Sequence, residues 1–356
     1  MTWLAWRQLR FPAFVAVGIL VALVVELALT GPHLLHVYDT VVRTCARHGD
    51  CSSVTASFQH LAALSHPLST LVTVVPILLG VFWGAPLVAR EMESGTYRLA
   101  WTQGVTRVRW IVVRLALVVA VAVVITAVLS VATTWWQSPV DRLNNSPFNS
   151  FETRDLVPVA YAAFAVALGA LLGAILRRTV LAMAATLAIF AGVRVAVGQW
   201  IRPRLFAPLD VVNARFIAPS LTGTQVSIRP PSANDWVLSN DVVNASGRVI
   251  GQNGGIGPNG SFGLNVSNNG SAILHGVGHC PNRLPIPPGG VRSGNPSPAT
   301  QAAIQHCVDS FHLRQVLTYQ PASRYWPLQW SEAAIFLVLA IALGAGCVWW
   351  VRRRLT

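Results

Sequence analysis

By type and spacing, the residues best suited to chemistry are two histidine pairs and four of the five cysteines. His275 and His279, in HGVGHC, stand four apart, a spacing that on a helix puts two imidazoles on one face as metal ligands. Gly276 and Gly278 argue against a helix there, and no carboxylate follows at a recognised spacing, so the pair reads as turn histidines beside a cysteine. His33 and His36 read the same way, and no metal site is expected. Neither G-x-S-x-G nor H-E-x-x-H occurs, so no catalytic residue is assigned. All 26 basic residues are Arg, with no Lys. That excludes a phosphate-binding loop of the G-x-x-x-x-G-K-[ST] type and a Schiff-base lysine. The chain carries neither its own ATP site of that kind nor pyridoxal phosphate.

Two charges stand inside apolar runs: Glu26 near the end of the first and Arg194 near the end of the fifth. Ionisable groups at membrane depth are costly and are paired or line a wet cavity. Glu26 and Arg194 are therefore expected to face each other or a shared polar path, within or between subunits; the alternative is that each snorkels to the nearby interface.

One segment between spans, REMESGTYRLAWTQGVTRVRW from Arg90 to Trp110, has enough residues for a specific role. Thr96 is the expected N-cap of a two-turn helix over Tyr97 to Gln103, and Gly104 its stop. That helix presents Tyr97, Leu99, Ala100 and Trp101, with Glu91, Glu93 and Arg107 flanking it. A short apolar helix held on a tight loop suits docking to a soluble partner, whereas an interfacial loop with aromatic anchors is the plainer reading.

The elements that must position these residues follow from hydropathy. Of 356 residues, 53% are hydrophobic and 11% charged, against about 25% charged in soluble domains. Mean hydropathy is +0.52. Six runs approach the roughly 20 residues of a membrane-spanning helix: Phe11–Thr30, Leu68–Ala89, Trp110–Thr133, Val157–Leu176, Thr179–Trp200 and Ala333–Val351. The first is read as a retained span, because no small-residue cleavage pattern precedes Gly31 and Pro32. Pro76 and Pro86 should kink the second. With both termini inside, the cytoplasmic side collects twelve Arg and the short outer loops four, Arg43, Arg47, Arg142 and Arg154, as the positive-inside rule requires. The net charge of +13 is thus mostly a topology signal, and no nucleic-acid partner is expected.

Residues 201–332 are rich in Pro, Gly, Asn and Ser and read as a small outer domain of short strands and turns. The expected division is 1–200 with spans one to five, outer loop 31–67 and cytoplasmic loop 90–110; 201–332 outside; and 333–356 as the sixth span with a basic tail. In an oxidising exterior Cys45, Cys51, Cys280 and Cys307 can form disulfides. Local bridges Cys45–Cys51 and Cys280–Cys307 are the economical pairing, but spacing also allows cross-pairing. Cys347 is left alone in the last span.

The run Glu91-x-Glu93-x-Gly95-Thr96, followed by Arg107 and Trp110, resembles the signature of ABC-2 type transporter permeases, the membrane subunits of a class of ABC exporters. Six spans and the basic, Trp-bearing start MTWLAWRQLR extend the likeness. Where family members often carry Pro or Lys, Gly104, Val105 and Arg114 stand here, and the segment before the last span is longer than is common. The fold expected from the apolar runs and the composition of 201–332 is an all-α polytopic membrane protein with six spans and a small, mainly β or irregular extracytoplasmic domain; the resemblance implies in addition that the short helix after the second span is a coupling helix. It implies a permease dimer and a separate ATP-binding cassette subunit, which holds ATP-Mg while this chain binds no cofactor directly. Partner contact falls on Glu91, Glu93, Gly95, Thr96, Tyr97, Leu99, Trp101 and Arg107, and Glu26 and Arg194 become candidate pathway residues. The expected function is export of a hydrophobic or amphipathic drug, peptide or lipid-like substrate. The Arg-only, Ala- and Val-rich composition points to a GC-rich bacterial genome, hence a bacterial cell membrane. Competing readings are a membrane-anchored sensor or scaffold, and an enzyme using His275, His279, His306 or Asp309 outside.

Overall fold

The structure is a computed structural model that describes residues 20–33, 35–40, 66–94, 106–144, 147–213, 234–251, 264–266, 271–274, 277–283 and 298–354, with isolated positions 14, 18, 43 and 232. Six helices in it are long and apolar enough to cross a bilayer: Leu20–Thr40, Val72–Ser94, Val108–Ser138, Val157–Leu176, Thr179–Arg204 and Ala322–Arg353. Each overlaps one of the six apolar runs. The chain divides into a helical unit, Met1–Leu205 with Tyr325–Thr356, and a second unit, Phe206–Arg324.

The helical unit contains α1 (Leu20–Thr40), α2 (His66–Leu79), α3 (Ala85–Ser94), α4 (Arg107–Asn144), α5 (Val157–Leu176), α6 (Thr179–Ala196) and α8 (Tyr325–Arg354). At its centre stands α5, whose sequence VPVAYAAFAVALGALLGAIL is buried over most of its length. Small side chains let its neighbours approach, and α2, α3, α4, α6 and α8 all pack on it. The approach is closest where α2 passes into α3. There Gly80–Gly84 forms a wide π-helical turn, a local irregularity typical of functional or tightly packed helix positions. A Cβ on Gly169 of α5 would lie 2.5 Å from the Gly80 carbonyl oxygen and 2.6 Å from the Ala85 nitrogen. Gly173 meets the Ala85 carbonyl oxygen just as closely. Two G-x-x-x-G stretches, Gly80/Gly84 and Gly169/Gly173, thus cross backbone to backbone, as small residues permit between membrane helices. The kink expected in the second span takes the form of this π turn between Pro76 and Pro86.

Two boundaries differ from the hydropathy reading. Helix α1 does not stop at Thr30 but runs on through Gly31 and Pro32 to Thr40, so His33 and His36 are helical and not in a loop. Packing against α4 carries it past the proline: a Cβ on Gly31 would overlap the Trp135 ring, and Trp136 Nε1 donates to Thr30 Oγ1 at 3.0 Å. Helix α4 begins at Arg107 with Thr106 as N-cap, its hydroxyl accepting the Arg109 N–H at 3.4 Å, and continues well beyond Thr133 to Asn144. Exposed tryptophans mark both ends of the spans, Trp200, Trp326 and Trp330 at one and Trp349 at the other, the positions aromatic rings favour at membrane interfaces.

Among its described residues the second unit has seven short strands and one helix, α7 (Pro298–Ser310). Strands β1 (Leu209–Asn213), β2 (Trp236–Val243), β3 (Val249–Gly251) and β7 (Arg314–Gln320) form an antiparallel sheet in the order β1-β7-β2-β3. Leu209 pairs with Tyr319, and Val237 with the same residue on the other side of β7. A second sheet holds β4 (Leu264–Val266), β5 (Ala272–Leu274) and β6 (Gly278–His279). Val242, Ala272, Leu274, Ile304, Val308 and Leu313 form the core of this unit. A disulfide between Cys280 and Cys307 ties the end of β6 to α7. The unit is narrower than the stretch 201–332 because the fifth span continues to Arg204 through a second π turn, Val197–Ile201, and a short 3-10 turn, Arg202–Arg204, and α8 starts at Tyr325. His279 stands on β6 next to the disulfide-bonded Cys280, and His275 lies outside the described residues.

Candidate functional site

Two polar clusters lie at opposite ends of the helical unit. The first is at the base of the segment 95–105. Glu91, on the last turn of α3, accepts a hydrogen bond from Arg114 Nη1 of α4 at 2.5 Å. The Arg114 guanidinium lies over the Trp110 ring at 4.7 Å. Both side chains are mostly buried, so the pair is a fixed fastener between the helices that enter and leave the segment. Glu93 reaches in another direction: its Oε2 accepts the Thr179 N–H at 3.1 Å and the Thr179 hydroxyl at 2.7 Å, at the first residue of α6. The two acids expected to flank a docking helix therefore have partners inside the chain. Arg107 opens α4, and Gly95, Thr96, Tyr97, Leu99 and Trp101 lie outside the described residues, as do Cys45 and Cys51.

The second cluster joins the distal ends of α4, α5, α6 and α8 to the short segment 147–156. Arg202 Nε and Nη2 hold both oxygens of Glu332, at 2.6 and 2.8 Å, and Arg202 Nη2 also donates to Glu152 Oε1 at 2.8 Å. Glu152 Oε2 accepts from Arg194 Nη2 at 2.5 Å, and Arg194 Nη1 donates to the Thr73 carbonyl oxygen at 3.0 Å. Tyr161 OH donates to Glu332 Oε1 at 2.5 Å, and the Arg194 guanidinium lies 5.2 Å from the Tyr161 ring centre. Glu332 is 0% exposed. A bidentate guanidinium supplies the geometry that lets a carboxylate be buried at all.

Beside these, Tyr325 OH donates to Asp155 Oδ2 at 2.5 Å while accepting from Arg154 Nε at 3.1 Å. Asp155 holds its place with a positive φ of 62°, a conformation Asp tolerates better than most residues. Gln329 Nε2 donates to the Phe151 carbonyl at 2.9 Å, and its Oε1 accepts the Val157 N–H, capping α5. The cluster counts three guanidinium groups, Arg154, Arg194 and Arg202, against three carboxylates, Glu152, Asp155 and Glu332. Among the described residues such a balanced set ties these helix ends together by paired charges.

Burial pushes the Glu152 carboxyl up, but the guanidinium groups of Arg202 and Arg194 outweigh it and hold the group below its ordinary 4.5. Arg194 thus has a carboxylate partner, as expected of an intramembrane charge. Within the chain that partner is Glu152 and not Glu26, because Glu152 arrives from the turn between α4 and α5, while Glu26 is exposed on α1. Sequence reasoning passed over Glu152, Arg202 and Glu332; the available signal was that all three stand just outside apolar runs at the same end. Among the described residues no three His, Cys, Asp or Glu side chains gather as a metal site would require.

Six helices long and apolar enough to cross a bilayer, with a charge-balanced network at one end and bonds from α3 to α4 and α6 at the other, define a multi-pass membrane protein. A family model described as ABC-2 membrane transporter related matches residues 17–202, more than half the chain, and the chain belongs to that family of membrane transporter permeases. No curated protein and no solved structure matches it.

Proposed function

We propose that this chain is the membrane subunit of an exporter driven by a separate ATP-binding cassette subunit that docks on the segment 95–105 from the cytoplasm, with both termini on that side. The family match supports the transport role, and the single structural observation that carries the rest is the clamp at the base of that segment. Glu91 with Arg114, and Glu93 with Thr179, fix where the chain leaves α3 and enters α4. Force applied to Tyr97–Gln103 then reaches α4 and α6 and is not dissipated in a slack loop. In this reading two copies of the chain face each other, exposed Glu26 looks toward the second copy, and Arg194 belongs to the wall of the path. The cargo is a hydrophobic or amphipathic molecule, and the Phe206–Arg324 unit lies outside the cell.

The test is co-purification. Trp101→Asp places a charge on the proposed docking segment and leaves Glu91 and Glu93 in the sequence, so it is expected to lose the ATP-hydrolysing subunit at least tenfold while membrane insertion is retained. Glu91→Lys is the poorer probe, because it also sets a lysine against Arg114. Retention of the subunit by Trp101→Asp at the wild-type level overturns the proposal.

A further inference from the structure

We infer that Glu93 is the positioning residue that links movement of the segment 95–105 to helix α6; the inference rests on that segment being the contact for an ATP-hydrolysing subunit. The argument begins with how α6 starts. Helices α5 and α6 are joined by Arg177, at φ 55°, and Arg178, which is extended. The Ala182 N–H donates to the Arg178 carbonyl oxygen at 3.0 Å, so Arg178 is the N-cap residue. An N-cap side chain must accept a hydrogen bond from the first turn, which a guanidinium has no lone pair to do, and Arg178 makes no side-chain cap. Glu93 supplies what is missing from another helix, taking both the N–H and the hydroxyl of Thr179 on one oxygen. A carboxylate there also meets the positive end of the α6 dipole.

Three further observations make this a link and not only a cap. Glu93 is the penultimate residue of α3, so the segment 95–105 begins two residues beyond it. Below it, Ala85 and Ala89 of α3 pack on Ala182 of α6, with Leu176 and Met183 around them. Fifteen residues further along the same helix, about 22 Å at 1.5 Å per residue, Arg194 grips Glu152 in the distal network. The two clamps also differ in kind. Glu91 and Arg114 are mostly buried, so parting them strands a charge. The Glu93 contact is exposed, so it opens and closes in water without that penalty. One clamp is buried and the other is open to water.

The experiment uses hydrogen exchange of the full chain in nanodiscs, alone and with its ATP-hydrolysing subunit, on wild type, Glu93→Ala, Arg178→Ser and Glu93→Ala with Arg178→Ser. Serine at the N-cap position restores a local cap without restoring the connection to α3. For the chain alone, Glu93→Ala is expected to speed exchange of amides 182–185 about fivefold, the size of a lost cap, and the added Arg178→Ser to restore protection. In the complex, replacing ADP with ATP should change exchange along α6 in wild type and Arg178→Ser, and at least fivefold less in both chains that lack Glu93. Recovery of that nucleotide response in the double variant overturns the inference, because the contact is then only a cap. Unchanged exchange in Glu93→Ala alone also overturns it and leaves the docking reading standing. A wild-type complex with no nucleotide response removes the docking reading, and this inference with it.

Discussion

Glu332 sits at 0% exposure with Arg202 on both its oxygens and the Tyr161 hydroxyl on one of them. Removing one partner of a buried pair costs about 3–5 kcal/mol, because the other charge stays behind without compensation. Glu332→Ala is accordingly expected to lower unfolding free energy by that order in a denaturant titration in micelles, and Glu332→Gln, which keeps an acceptor, by less. Glu152 gives the pH counterpart. Its carboxyl ionises more readily folded than at its ordinary 4.5, so its contribution is complete above that pH and is lost as pH falls below it toward the folded value. A thermal midpoint that drops below about pH 4.5 in wild type, with a shallower drop in Glu152→Gln, is the expected result. The need for a carboxylate near Arg194 was legible from one charge in an apolar run. Its identity was not, because Glu152 lies in a segment whose path depends on how α4, α5 and α8 pack.

At the scale of elements, the crossing of Gly80 and Gly84 with Gly169 and Gly173 sets how close α5 comes to the second span. Gly169→Ala puts a methyl 2.5 Å from a backbone oxygen that has no room to yield. It is expected to cost at least the roughly 1–3 kcal/mol of overpacking. Gly192→Ala on α6, where a Cβ meets nothing within 4 Å, is the matched control and should leave the thermal midpoint unchanged or slightly raised. Both G-x-x-x-G stretches stand in the open sequence, GVFWG and GALLG, and the six spans were legible from apolar run length alone. Span ends were not. Pro32 reads as a stop, but α1 is held in register past it by Trp135 and Trp136. Helix caps were equally hidden, since α5 borrows Gln329 from α8 and α6 borrows Glu93 from α3, and no local sequence rule sees a cap supplied from another helix.

At the scale of the molecule, the absence of Lys and the single motif-bearing segment point the same way. On the proposed reading, a permease with no phosphate-binding loop of the lysine type receives its energy by contact, and the segment between α3 and α4 is the proposed place for it. The acids of the motif were legible as special, but their structural role was not. The sequence assigns them to the partner; in the fold they also bond within the chain, Glu91 to Arg114 of α4 and Glu93 to Thr179 of α6. On the proposed reading the residues between them and α4, above all Trp101, share the partner contact. The most direct measurement is photocrosslinking in intact membranes, with a benzoylphenylalanine in place of Trp101. The account predicts a crosslink to an ATP-binding cassette polypeptide, identified by mass spectrometry and lost when the reactive residue is moved to Val338, exposed on α8. A crosslink only to lipid, or to no ATP-hydrolysing protein, contradicts it.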